Sequence, residues 1–134
     1  MIVVDANLLV YLWVGGPSLE LAEAVLHREP HWGAPFLWRS EFRNAVVGLV
    51  RARRRTLEQA LAATRHAELQ MAGHEYVVNS EPVVTAAMQS GCTAYDCEYV
   101  ALAENLGLTL VTFDGQVQRA FPETAIAPEA FVRN

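Results

Sequence analysis

Three aspartates occur in this chain, Asp5, Asp96 and Asp114, beside twelve glutamates. Each aspartate stands where a strand hands over to a turn or a helix. Asp5 ends Ile2-Val3-Val4, Asp114 closes Leu108-Thr109-Leu110-Val111-Thr112-Phe113, and Asp96 opens the amphipathic run from Cys97 to Glu104. In a parallel α/β sheet such ends converge on one edge, where sites form. Carboxylates packed together repel, and must take up protons or bind cations. An oxygen-only cluster, without cysteine or histidine, suits magnesium or manganese over zinc. The pattern points to an acidic metal pocket. Taken singly, each acid also has an ordinary structural role. Asp5 fits a turn after a strand, and Asp96 fits the acid of a Thr93-x-x-Asp96 capping box. Asp114-Gly115 is a common turn dipeptide, and Glu41 suits the first turn of a helix. Only a shared sheet edge joins them.

The elements that must position these residues alternate between strand and helix. Ile2-Val3-Val4 predicts a short buried strand, followed by a helix or turn over 6–12. Gly15-Gly16-Pro17 is a loop, with Ser18 the expected N-cap of a helix over 19–28. A weak strand at 31–35 precedes a long helix over 37–54, whose terminal arginines suit a helix C-terminus. Thr56-x-x-Gln59 is a capping box opening a helix to residue 72. A third strand is expected at 74–78, then a helix capped by Ser80 and running to 89, with Pro82 tolerated in its first turn. The helix over 95–106 stops at Gly107. A strand at 108–112, a short helix at 116–121 and a last strand at 124–127 complete the chain. This alternation implies an α/β fold, a mostly parallel sheet of about five strands with helices on both faces. No linker or repeat interrupts it, so residues 1–134 are expected to form a single domain.

Composition bounds the reading. A hydrophobic fraction of 52% with 19% charged residues describes a packed globular chain. Cys92 and Cys97 form neither a redox C-x-x-C nor a zinc pair, and read as reduced, partly buried thiols. Met1 runs straight into a strand with no basic leader, and the apolar stretch from Leu8 to Val14 is too short to cross a bilayer. A soluble, cytoplasmic protein is the expectation. The net charge of −5 argues superficially against nucleic acid, yet two bound divalent cations would bring it to −1. All ten basic residues are arginine, and four of them fall in Arg51-Ala52-Arg53-Arg54-Arg55.

Four blocks run in order along the chain: Val3-Val4-Asp5-Ala6-Asn7, then Glu41-x-x-Asn44, then Tyr95-Asp96-Cys97-Glu98-Tyr99-Val100-Ala101-Leu102-Ala103-Glu104, then Leu110-Val111-Thr112-Phe113-Asp114. In order and spacing the chain resembles the PIN-domain ribonucleases, and most closely the VapC-type toxins of bacterial toxin–antitoxin pairs. The third block is the most specific; Asp5-Ala6-Asn7 alone would be weak. The resemblance implies a three-layer α/β/α fold and metal-dependent hydrolysis of RNA. Asp5, Glu41, Asp96 and Asp114 match the family's acidic quartet, which holds Mg2+ or Mn2+. Asp5 and Asp96 are the expected direct ligands, while Glu41 and Asp114 ligate directly or through water. Thr112 and Asn7 match polar positions that orient carboxylates or water. Cys97 stands where the family more often has a small packing residue.

The resemblance also implies a homodimer and a cognate VapB-like antitoxin, with no membrane partner. The helices over 19–28 and 56–72 are expected to supply apolar surface for self-association or antitoxin docking. Arg51, Arg53, Arg54 and Arg55 read most simply as a solvated helix end, with contact to RNA phosphate or an acidic partner, together with Arg43, as the alternative. Trp13, Trp32 and Trp38 suit packing more than base stacking, and the four histidines form no metal or triad spacing. Rival classes fail on composition. Response-regulator receivers and haloacid dehalogenase phosphatases need a lysine, and the chain has none. A non-catalytic PIN-like scaffold would be expected to lose an acid, whereas all four stand. A PIN nuclease of RNA processing or decay, without an antitoxin, is the remaining alternative.

Overall fold

The computed structural model describes residues 1–134. Strands β1 (Ile2–Val4), β2 (Trp32–Pro35), β3 (Glu75–Tyr76), β4 (Leu110–Val111) and β5 (Ala125–Ile126) form one sheet in the order β3-β2-β1-β4-β5. Burial places the central strands: β1, β2 and β4 are apolar and buried on both faces, while the edge strands are two residues long. Every pairing is parallel, with Val3 opposite Gly33 on one side and Leu110 on the other. The helices between them are α1 (Ala6–Val14), α2 (Leu19–Arg28), α3 (Leu37–Arg51), α4 (Leu57–Met71), α5 (Ser80–Ser90), α6 (Ala94–Leu106), α7 (Gly115–Ala120) and α8 (Pro128–Arg133).

The strand order fixes the layers. From β1 the chain steps to β2 and then β3, so right-handed crossovers lay α1 to α4 on one face. From β3 it crosses back to β4 and β5, which puts α5, α6 and α7 on the other. The result is the expected three-layer α/β/α arrangement of five parallel strands. Connections leaving β1 and β4 diverge in opposite directions. Their C-terminal ends therefore border a crevice, the topological switch point where open α/β sheets place their sites.

One anchor fixes the start of α3. Arg39 donates to Glu75 Oε1 at 2.8 Å, and the Trp38 indole donates to Glu75 Oε2 at 2.9 Å. The Arg39 guanidinium holds the Glu75 carboxyl below its ordinary range. Trp38 and Phe42 pack edge to face at 5.7 Å and are buried in the core. The face of α3 that carries residue 41 is thereby locked against the sheet.

Several boundaries differ from expectation. Helix α3 ends at Arg51 rather than 54, because Arg53 adopts a left-handed φ of 59° and reverses the chain toward α4. Ser80 is the first helical residue and not a cap, since Asn79 holds the extended cap conformation, and Ser18 makes no side-chain cap bond. Both cysteines are fully buried and free. The C-terminal helix α8 was not anticipated. It packs on α2, with Arg28 5.6 Å above the Phe131 ring. The expectation that residues 19–28 expose an apolar face is thereby overturned, as α2 carries no exposed large hydrophobic residue. Helix α4 does expose Leu57, Leu61 and Leu69.

Candidate active site

Asp5 follows β1 directly and caps α1, accepting the Leu8 amide on Oδ1 at 3.0 Å. Its other oxygen faces the neighbouring strand end. There Oδ2 accepts the Thr112 hydroxyl at 2.6 Å and the Phe113 amide at 3.0 Å. Thr112 is the one polar residue in the fully buried set, at 2% exposure. Its hydroxyl also accepts the Asp114 amide at 3.1 Å, and its carbonyl accepts Gln118 Nε2 at 2.7 Å. One threonine thus joins the ends of β1 and β4. Asp114 caps α7, receiving the Gln116 and Val117 amides on Oδ1 at 2.8 and 3.2 Å and leaving Oδ2 free of protein partners.

The remaining acids arrive from two helices. Asp96 is the third residue of α6 and closes the expected capping box with Thr93, accepting the Thr93 amide on Oδ2 at 3.4 Å. Glu41 lies in the second turn of α3, and its Oε1 accepts the Tyr99 hydroxyl at 2.6 Å. Tyr99 stands three residues beyond Asp96 on α6, on the same helix face. Asp5, Glu41, Asp96 and Asp114 all line one cavity of about 290 Å³, with Asn7, Asn44, Tyr99 and Thr112 in its wall.

Charge in this cavity is uncompensated. None of the arginines forms an ion pair with any of the four acids; the two that are paired, Arg39 and Arg43, engage Glu68 and Glu75. Burial pushes the Asp5 carboxyl above its ordinary range and Asp114 adds to this, while bonds from Thr112, Leu8 and Phe113 pull it back. Burial likewise raises Glu41, partly offset by the Tyr99 bond, with Asp96, Asp5 and Glu98 adding repulsion. The Tyr99 phenol is held far up in its neutral form by burial and by Glu41. The helix N-termini of α1, α6 and α7 begin beside these acids, where helix ends carry partial positive charge.

The spacing of the four carboxylates limits which cation they suit. No group of three His, Cys, Asp or Glu side chains is drawn tightly enough together to ligate one ion. Hard oxygens at this looser spacing fit a cation that keeps several waters and takes one or two carboxylates directly, the habit of Mg2+. They do not fit a closed zinc cage.

The structure treats the other expected residues unequally. Asn7 is exposed at the cavity rim, where its position was expected. Arg51, Arg53 and Arg54 are exposed at the far end of α3, roughly 15 Å along the helix from Glu41. Arg55 is engaged elsewhere, donating to the Val14 carbonyl at 3.1 and 3.2 Å and so closing the C-terminus of α1. Arg43 and Arg51 flank an apolar groove between α3 and α4 that Val47, Leu57 and Leu61 line. Trp32 and Trp38 are buried, and Trp13 stacks against His66 at the surface. Sequence reasoning missed Tyr99 as part of the site. The signal was present in its spacing from Asp96.

A PIN-domain family model matches residues 2–122. The chain is 31% identical over 126 residues to Ribonuclease VapC3 of Pyrobaculum aerophilum, spanning 90% of this chain and 95% of that protein. The solved structure of PAE2754 from Pyrobaculum aerophilum superposes with a TM-score of 0.77 at 25% identity, covering 98% of this chain and 85% of that one. A toxin–antitoxin complex from Klebsiella pneumoniae matches at a TM-score of 0.71 and 19% identity, covering 96% and 98% of the two chains. FitAcB from Neisseria gonorrhoeae matches at 0.70 and 20%, covering 96% and 99%. The last two likenesses establish the fold.

Proposed function

The chain belongs to the PIN-domain family, and from that premise we propose that it is a metal-dependent ribonuclease acting as the toxin of a toxin–antitoxin pair. The observation that carries this reading is the unpaired quartet: Asp5, Glu41, Asp96 and Asp114 line one cavity and no arginine neutralises them. Asp5 and Asp96 are the proposed direct ligands of Mg2+ or Mn2+, with Glu41 and Asp114 ligating directly or through water. The chemistry the cation supplies when bound is Lewis acidity toward water and phosphate oxygens.

The chain's own residues supply position. Thr112 and the Phe113 amide fix Asp5 from the β4 side, so the carboxylate cannot swing out to solvent. The Gln116 and Val117 amides hold one oxygen of Asp114 and leave the other toward the crevice. The N-termini of α1 and α7 spend their first amides on Asp5 and Asp114, so these helix starts fix the carboxylates that face the crevice. Asn7 and Asn44, exposed at the rim, are placed to donate to RNA.

Similarity to Ribonuclease VapC3 supports the substrate, and the toxin–antitoxin complex from Klebsiella pneumoniae, which shares the fold, is consistent with the partner. The apolar groove between α3 and α4, bordered by Arg43 and Arg51, supports docking of an antitoxin segment with acidic flanks. The exposed leucines of α4 support a homodimer. Sedimentation that finds only monomer at about 50 µM, a concentration that reveals modest interfaces, refutes the dimer. Pure protein is expected to cleave single-stranded or loop RNA only with added Mg2+ or Mn2+ and to stop in EDTA. Undiminished cleavage in excess EDTA refutes the metal dependence, and no cleavage of varied RNAs with metal refutes the nuclease.

A further inference from the structure

We infer that Tyr99 is a positioning residue for the metal site, its buried hydroxyl holding the Glu41 carboxylate at the cavity against the repulsion of the other acids. The inference rests on the reading of the quartet as a cation site. Its own support is geometric. The Tyr99 side chain is 4% exposed, so the ring is fixed by core packing and the hydroxyl has one place to be. From there it donates to Glu41 Oε1 at 2.6 Å, and the Glu41 carboxylate makes no other hydrogen bond within the protein.

Glutamate differs from the other three acids in reach and in tether. Asp5 and Asp114 are held by backbone amides, and Asp96 by its own helix cap. Glu41 extends from the middle of a helix turn, with three rotatable side-chain bonds and no cap to hold it. Asp5, Asp96 and Glu98 all repel it, so an untethered carboxylate would rotate toward solvent and away from the crevice. Tyr99 occupies one oxygen and leaves Oε2 available. A neutral donor also orients without cancelling charge, whereas an arginine in its place would form an ion pair and compete with the cation. Partners of this kind around metal ligands commonly set affinity and activity by about 10–100-fold.

The test is a double-mutant cycle on the full chain, read by Mn2+ binding to the purified protein without RNA. Y99F keeps the ring and removes the donor. Mn2+ binding, followed by calorimetry or by the resonance of free Mn2+, is expected to weaken about 10–100-fold in Y99F. In an E41A background, Y99F is expected to weaken it no further, because the residue acts through Glu41. A merely structural role for Tyr99 would lower affinity equally in both backgrounds, and that result overturns the inference. So does a Y99F protein that binds Mn2+ within about twofold of native, a difference of under half a kcal/mol. If the native protein itself binds no Mn2+, the reading of the quartet falls and this inference with it. Native binding with an indifferent Y99F overturns this inference alone.

Discussion

Replacing Thr112 by valine removes one oxygen atom and keeps the shape of a fully buried side chain. Two bonds go with it: the 2.6 Å donation to Asp5 and the 3.1 Å acceptance from the Asp114 amide. A hydrogen bond to a charged acceptor contributes roughly 1.5–3 kcal/mol, and a neutral one about 0.5–1.5. Water at the cavity recovers part of the Asp114 bond, so T112V is expected to cost about 2–3 kcal/mol at neutral pH. For a domain of this length that is a fall in melting temperature of about 6–10 °C. The sign of the pH dependence follows from Asp5. Its carboxyl is raised by burial, and Thr112 is the largest influence pulling it back. Thr112 therefore stabilises the ionised form, and T112V lifts the Asp5 pKa further. The cost of the substitution should be full above that pKa and shrink toward about 1 kcal/mol once Asp5 is protonated in both proteins. Urea unfolding of metal-free native and T112V protein, at neutral pH and again at a pH low enough that carboxylates are protonated, measures both values. A cost below about 0.5 kcal/mol, or one unchanged between the two pH values, refutes the charge-assisted bond.

Asp96→Asn keeps a carbonyl oxygen for the Thr93 amide, so the α6 cap survives while a ligand charge is lost. RNA cleavage should fall by more than about 100-fold with the melting temperature unchanged or raised; near-native turnover removes Asp96 from the catalytic set. Asp5 and Glu41 are both raised above their ordinary ranges. The unfolded chain loses these protons first, so metal-free stability from these two groups falls as pH rises through the ordinary carboxylate values up to the raised folded ones. Added Mg2+ should restore it at neutral pH, by about 2.7 kcal/mol at a hundred times its Kd; thermal melts with and without Mg2+ across that range are the check, and a Mg2+-indifferent melt refutes it. An antitoxin that places a guanidinium among the four carboxylates would compete with the cation. Its apparent inhibition constant should then rise with Mg2+, and a constant that ignores Mg2+ while D96N binds the antitoxin as tightly as native would mean inhibition by blocking RNA access.

What was legible in the sequence was mostly local. The capping boxes at Thr56/Gln59 and Thr93/Asp96 both form, because each needs only residues three apart. Gly107 ends α6 in the left-handed conformation for the same local reason. Strand limits were less legible, since pairing sets them. The third strand keeps only Glu75 and Tyr76, because the chain must leave the sheet edge to reach the cap at Asn79. Thr112 still donates its amide to the Ile126 carbonyl of β5, but its hydroxyl turns to Asp5 and the chain bends away into the Asp114 cap. The stop of α3 carried no glycine or proline at the turn itself; the reversal at Arg53 answers to the packing of α4 on α3 and to Arg55 reaching Val14. Helix α8 did carry a signal, a proline at its start followed by an acid. Its stability comes from α2, which sequence spacing does not reveal. The aspartates were found because strand ends share an edge. Glu41 was found by resemblance, and Tyr99 was hidden inside a block read for its pattern and not for its face.

The way the four acids are held supports the proposed reading of the cavity as a cation site. A protein that needed only stability there would set an arginine against them, as this chain does at Glu75, where Arg39 lowers the carboxyl pKa. Around the quartet the partners are instead hydroxyls and backbone amides. These fix direction without removing charge. Repulsion among the acids is left in place, raising Asp5 and Glu41 and holding stability in reserve. Relief then has to come from outside the chain, by a cation at the cavity or by a guanidinium inserted by a partner. Both remedies act on one charge deficit, so they must exclude each other to the extent that they share the same oxygens. For the proposed antitoxin, the Mg2+ dependence of inhibition would therefore measure how much of its grip lies in the cavity and how much in the groove beside Arg43 and Arg51.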